Sequence, residues 1–115
     1  MQDGFSEVKL FQVHPDKTGE FEALIRQVAA EQLLQAGCRD IRGIKRVFTI
    51  DGVEAGQPPR ELARIVKCVK YYTYWEFDSK ENYGKAIAWF FERYGKQIMK
   101  LLIMPFDISC GERIA

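Results

Sequence analysis

The chain has 115 residues, room for one domain around one hydrophobic core and too few for two. Apolar residues make up 47% and charged residues 29%, which excludes intrinsic disorder. Seventeen Lys and Arg against sixteen Asp and Glu leave a net charge of +1, and so even a balance argues against a duplex-DNA binder, which presents a dominant basic face. Residues 7–14 alternate loosely between apolar and polar and stop at Pro15, the pattern of a first strand. Either Asp16 or Thr18 can cap the helix that follows. In it Phe21, Leu24, Ile25, Val28, Ala29 and Leu33 recur at helical spacing, and Gly37 is its natural stop after about Ala36. Residues 41–51, with Ile44, Val47, Phe48 and Ile50, read as a second strand. Asp51 to Glu61 is a connection rich in Gly and Pro, expected to be exposed, mobile and poorly suited to ladder pairing.

Residues 62–77 give the strongest strand pattern in the chain. Asp78 or Ser79 then caps a second helix, whose stripe runs through Tyr83, Ile87, Phe90, Phe91, Tyr94, Ile98 and Leu101 until Pro105 ends it. Residues 106–114 read as the last strand; the rival reading places it at 98–108, with the helix ending at Gly95. The order β-α-β-β-α-β predicts an α+β, ferredoxin-like domain over 1–115, with two helices on one face of a four-stranded antiparallel sheet.

The third strand is apolar on both sides. One set of alternating side chains is Ile65, Lys67, Val69, Tyr71, Thr73, Trp75 and Phe77; the other is Val66, Cys68, Lys70, Tyr72, Tyr74 and Glu76. A sheet with one wet face alternates apolar with polar, and two helices cover only one face. The other face therefore needs a cover: a second copy of the sheet, a flat ligand or stacked nucleobases.

Two stretches, Val13-His14-Pro15-Asp16-Lys17 running to Glu20-Phe21, and Tyr74-Trp75-Glu76-Phe77-Asp78-Ser79-Lys80-Glu81-Asn82-Tyr83, resemble the dimeric α+β barrel superfamily, in particular its antibiotic-biosynthesis-monooxygenase-like branch. The resemblance implies a ferredoxin-like protomer, a homodimer with sheets face to face, and a cavity for a small, flat, largely apolar ligand. It also implies activities that include cofactor-free oxidation of aromatic polyketides, haem degradation, and isomerase or decarboxylase chemistry on small rings. The chain departs from the family pattern at Phe77, where Trp is usual, and at Trp75, where Glu is common. Its helix from Tyr83 to Tyr94 also lacks the usual histidine. From the family's placement of an aromatic ring before the helix cap, Phe77 should face the cavity. Trp75, Thr73 and Tyr71 share its side of the strand, and Phe11 of the first strand joins them. These five residues are the expected ligand-binding set, with Val66, Cys68, Tyr72 and Tyr74 expected under the helices. On that reading Trp75→Ala cuts ligand affinity and spares the fold.

His14 is the only histidine and the one candidate general base; the competing reading is a surface imidazole at a strand end. Cys38, Cys68 and Cys110 form no metal-binding or disulfide pattern, so three reduced thiols, no metal and no cofactor are expected. With neither a signal-like N-terminus nor a membrane-length apolar run, the expectation is a cytoplasmic protein without a membrane partner. Lys67 and Lys70 among aromatics suggest an RNA-reading sheet, but the net charge and the missing glycine-containing core of that motif argue against a nucleic-acid partner. The function classes left are an enzyme of the cofactor-independent monooxygenase type and a non-catalytic ligand-binding or structural dimer.

Overall fold

In a computed structural model, residues 4–64 and 67–115 are described. The elements are β1 (Phe5–Val13), α1 (Thr18–Gln32), β2 (Cys38–Lys45), β3 (Phe48–Thr49), β4 (Arg60–Glu61), β5 (Val69–Phe77), α2 (Lys80–Phe90), α3 (Lys96–Met99) and β6 (Asp107–Glu112). The principal sheet is four-stranded and antiparallel, in the order β2-β5-β1-β6, the split βαβ arrangement that the element order predicts. Its last strand agrees with the reading over 106–114 and not with the rival at 98–108.

Several boundaries differ from the sequence reading for local reasons. Pro15–Lys17 form a 3₁₀ turn leading into α1, whose cap position is Lys17, so neither Asp16 nor Thr18 caps it. The helix stops at Gln32, and Gly37 lies in the turn beyond it with φ +81°. A Cβ at Gly37 would stand 2.3 Å from Asp78 Oδ1, and the Asp78 N–H donates to the Gly37 carbonyl at 2.9 Å. Only glycine lets the chain after α1 touch the start of α2 so closely. Ser79 caps α2, its hydroxyl accepting from the Asn82 N–H at 3.1 Å.

The second expected strand ends at Lys45, and Phe48–Thr49 pairs with Arg60–Glu61 as a small separate hairpin. The connection from Asp51 to Glu61 is exposed apart from a half-buried Val53, and its end does enter a ladder at β4, contrary to expectation. The long third strand begins only at Val69; Ile65 and Val66 lie outside the described residues. The second helix is interrupted by a π-helical turn at Phe91–Gly95. That extra residue in the turn keeps Tyr94 and Ile98 buried in line with Phe90 and leaves Phe91 exposed.

The side of β5 that faces the helices is the reverse of the one expected. Val69, Tyr71, Thr73, Trp75 and Phe77 are all buried, together with Phe11 and Val13 of β1. The Tyr71 ring lies 4.7 Å from Phe21 of α1, Trp75 lies 5.3 Å from Phe90 of α2, and Phe77 lies 5.9 Å from Tyr83 of α2. Tyr72 and Tyr74 are on the opposite, helix-free side and only half-buried, and Cys68 is half-buried with its Sγ 3.6 Å from Gln12 Oε1. The cause is the strand's true start. Over Val69–Phe77 the odd positions carry no charge, because Lys67 falls before the strand, while the even positions keep Lys70 and Glu76. Burying the uncharged set removes more apolar surface from water and strands no ion.

Candidate functional site

The helix-covered face of β1 continues the odd alternation of Phe11 and Val13 back to Lys9 and Glu7, and both charged side chains are 0% exposed. Register places Glu7 opposite Trp75 and Lys9 opposite Thr73 on β5. Lys9 Nζ lies 2.5 Å from Glu7 Oε1 and sits over the Trp75 ring, 3.2 Å from its centroid, with Phe90 at 4.8 Å. The Tyr83 hydroxyl, reaching in from α2, donates to the other carboxylate oxygen of Glu7, and the Cys110 thiol lies 3.7 Å from the same hydroxyl. The result is a dry ion pair boxed in by aromatic rings, the sort of arrangement in which charge is unusually strong and titration unusually displaced. Burial pulls the Lys9 ammonium down to about 8, only partly opposed by the Glu7 carboxylate. Burial, and then the hydrogen bond to Glu7, push the Tyr83 phenol well above its usual range, so it remains a proton donor.

One strand further out, the floor changes character. Thr73 is 3% exposed and its Oγ1 has no hydrogen-bond partner among the described residues. A cleft of about 230 Å³ opens beside it between α1 and the β2–β5 edge of the sheet. Phe21, Ile25 and Ala29 of α1 form one wall and Tyr71 stands at the base. Glu22 sits at the mouth, accepting from the Tyr71 hydroxyl at 2.5 Å and from Lys45 Nζ at 2.9 Å. The Tyr71 phenol first, and Lys45 after it, hold the Glu22 carboxyl below the usual carboxylate range. Burial, with Glu22 second, raises the Tyr71 phenol above its own.

Of the residues expected from the sequence, Tyr71 and Thr73 line this cleft, while Trp75 and Phe77 belong to the packed core and Phe11 packs in tilted contact with Phe21 and Phe106. His14 stands apart, at the end of β1, with its backbone N–H bonded to the Leu101 carbonyl at 3.0 Å. Glu7, Lys9, Tyr83, Glu22 and Lys45 were not singled out by sequence reasoning. The available signal for two of them is parity: Glu7 and Lys9 fall on the same alternation as Phe11 and Val13. Among the described residues no three His, Cys, Asp or Glu side chains gather in a group fit to hold a metal ion, and no helix is long and apolar enough to cross a membrane.

No family model matches the chain, and no curated protein matches it in sequence. Solved structures do. A candidate antibiotic biosynthesis monooxygenase from Nitrosomonas europaea superposes with a TM-score of 0.73 at 10% identity, over 99% of this chain and 93% of that one. A conserved protein from Methanosarcina mazei gives 0.72 at 18% identity, over 97% and 94%. SnoaB, a cofactor-independent oxygenase from Streptomyces nogalater, gives 0.70 at 17% identity, over 98% and 95%. Likeness at such low identity is likeness of fold, and fold by itself does not carry chemistry across. The chain thus has the ferredoxin-like α+β fold that these solved structures share.

Proposed function

We propose that the protein binds a small, flat, largely apolar ring ligand in the cleft between α1 and the sheet. The observation that supports this is the unpartnered Thr73 hydroxyl, buried at the floor of a cleft walled by Phe21, Ile25 and Tyr71. A buried hydroxyl without a partner costs stability, and a ligand that hydrogen-bonds to it recovers that cost. The finer reading, cofactor-independent oxygenase chemistry on the ring, is supported by the Glu7–Lys9–Tyr83 network one strand away, and by the fold shared with SnoaB. An NMR titration with phenol tests the binding. Amide shifts should concentrate at residues 21–29, 43–45 and 71–73; shifts absent there, or confined to a second groove lined by Phe91, Lys96, Met99 and Phe106, overturn it. Repeating the titration with a monocyclic hydroquinone over an oxygen electrode tests the enzyme reading. That reading requires oxygen uptake above the rate in buffer, and falls if the two rates are equal.

The same proposal includes a homodimer formed through the helix-free face of the sheet. There Val8 is 42% and Ile44 63% exposed, beside half-buried Leu10, Tyr72 and Tyr74. An apolar sheet face of this kind is unstable against water unless covered. Light scattering should give the mass of two chains, and Ile44→Glu should give one, because a carboxylate placed on the covered face would be buried without a partner. A monomeric parent protein at tens of micromolar removes the dimer.

A further inference from the structure

The cleft has two chemically different ends. At the inner end lies Thr73, its buried hydroxyl without a hydrogen-bond partner among the described residues. Its cross-strand neighbour on β2 is Gly43, and a Cβ built there would meet only Ile25, at 4.0 Å. The missing side chain keeps this end open. Two residues along both strands the pair is Lys45 and Tyr71, so the outer end lies about 6.6 Å away, two strand rises. Here Glu22 is shared by the Tyr71 hydroxyl, Lys45 and Arg26, the last at 3.6 Å. Two cations thus face one carboxylate, and both cationic side chains still reach solvent, Lys45 at 41% and Arg26 at 76% exposure. The mouth carries an excess positive charge and unused donors, whereas the Glu22 carboxylate already has its partners. An engineered cavity of roughly 150 Å³ holds a benzene molecule, so a cleft of about 230 Å³ has room for one ring with its substituents.

Resting on the ring-binding reading above, we infer that the ligand is a monocyclic aromatic acid. Its ring lies against Phe21, Ile25 and Tyr71, its carboxylate meets Lys45 and Arg26 at the mouth, and a hydroxyl or carbonyl para to the acid meets Thr73 Oγ1 at the floor. The Arg26 fork and the Lys45 ammonium give charge-assisted bonds that a neutral ring cannot form.

Calorimetric titrations of the full chain with 4-hydroxybenzoate, benzoate, benzyl alcohol and benzylamine test this. Benzoate should bind roughly tenfold more tightly than benzyl alcohol, and benzylamine more weakly than either. 4-Hydroxybenzoate should exceed benzoate by roughly fivefold. Thr73→Val, which keeps the shape and removes the hydroxyl, should erase the difference between the two acids and leave benzoate unchanged. Lys45→Gln should weaken both acids and leave benzyl alcohol unchanged. Gly43→Ala has room to fold and should weaken all ring ligands by filling the inner end. Benzyl alcohol or benzylamine binding as tightly as benzoate overturns the acid while ring binding stands, and so does a 4-hydroxyl preference that survives in Thr73→Val. Failure of all four compounds to bind removes the ring-binding reading itself.

Discussion

Lys9→Met is expected to lower the free energy of unfolding by about 3–5 kcal/mol, because it leaves Glu7 as a buried carboxylate without a cation. Substituting both members, Glu7→Leu with Lys9→Met, should recover much of that loss, since a buried pair replaced by apolar side chains of similar size is close to neutral. The Tyr83 hydroxyl then lacks its acceptor, and about 1–3 kcal/mol of the loss should persist. Urea denaturation of the parent, both single variants and the double variant measures the coupling; a loss below about 1 kcal/mol in Lys9→Met contradicts a closed buried pair. The pair also sets a pH signature. In the unfolded chain the Lys9 ammonium holds its proton up to its ordinary value of 10.5, and in the fold only up to about 8. From pH 8 upward the unfolded state binds more protons than the folded state, so this group makes stability rise with pH. The window closes near pH 9, where thiols of the unfolded chain begin to ionise while burial holds Cys38 protonated in the fold; Tyr71 and Tyr83 act in the same opposing direction from about pH 10. Stability of the parent should therefore climb between pH 8 and 9, and Lys9→Met should abolish the climb. A parent profile that is flat or falling there overturns the assignment.

Trp75→Ala is the second large effect, expected at about 3–5 kcal/mol. Trp75 is 1% exposed and meets Phe90 edge-on at 5.3 Å, with Phe77 and Tyr83 both at 6.2 Å. Removing the indole leaves a cavity that these rings cannot all close, and takes away the π face on which the Lys9 ammonium rests. The loss should be non-additive with Lys9→Met, because the two side chains touch. This replaces the sequence-based expectation that Trp75→Ala spares the fold. An unchanged denaturation midpoint would contradict the core position of Trp75.

The element order was legible because its signals are local. Pro15 stands just past the end of the first strand, Ser79 caps a helix, and the stripe from Tyr83 to Leu101 has the helical period, although the helix ends at Met99 and not at Pro105. The side of the sheet was not legible, since alternation gives information only when one parity is polar. β5 is aromatic on both, and deciding between them required the strand's start, which the strand-like pattern continuing back to Leu62 concealed. The site was half legible for a related reason. Tyr71 and Thr73 lie where strand parity groups them, but Glu7 and Lys9 imitate a wet face, while Val8, the apolar residue between them, is the one that points to solvent. Charged residues one pleat apart ordinarily mark the outside of a strand; only their shared parity with Phe11 and Val13 speaks for the inside. Glu22 and Lys45 come from different elements, and nothing along the chain announces their meeting.

The position of β1 bears on how the molecule assembles. It is the first strand along the chain, yet both its neighbours come late: Phe5 pairs with Phe77 on one side and with Glu112 on the other. During synthesis β1 therefore waits with both edges unpaired, exposing Phe11 and Val13, while most of the chain is still to be made. Closing such long loops before any central pairing slows collapse to the native state relative to a helical bundle of the same size. The nascent chain is thus most vulnerable to aggregation, and most dependent on chaperone shielding, over the interval between emergence of β1 and emergence of β5.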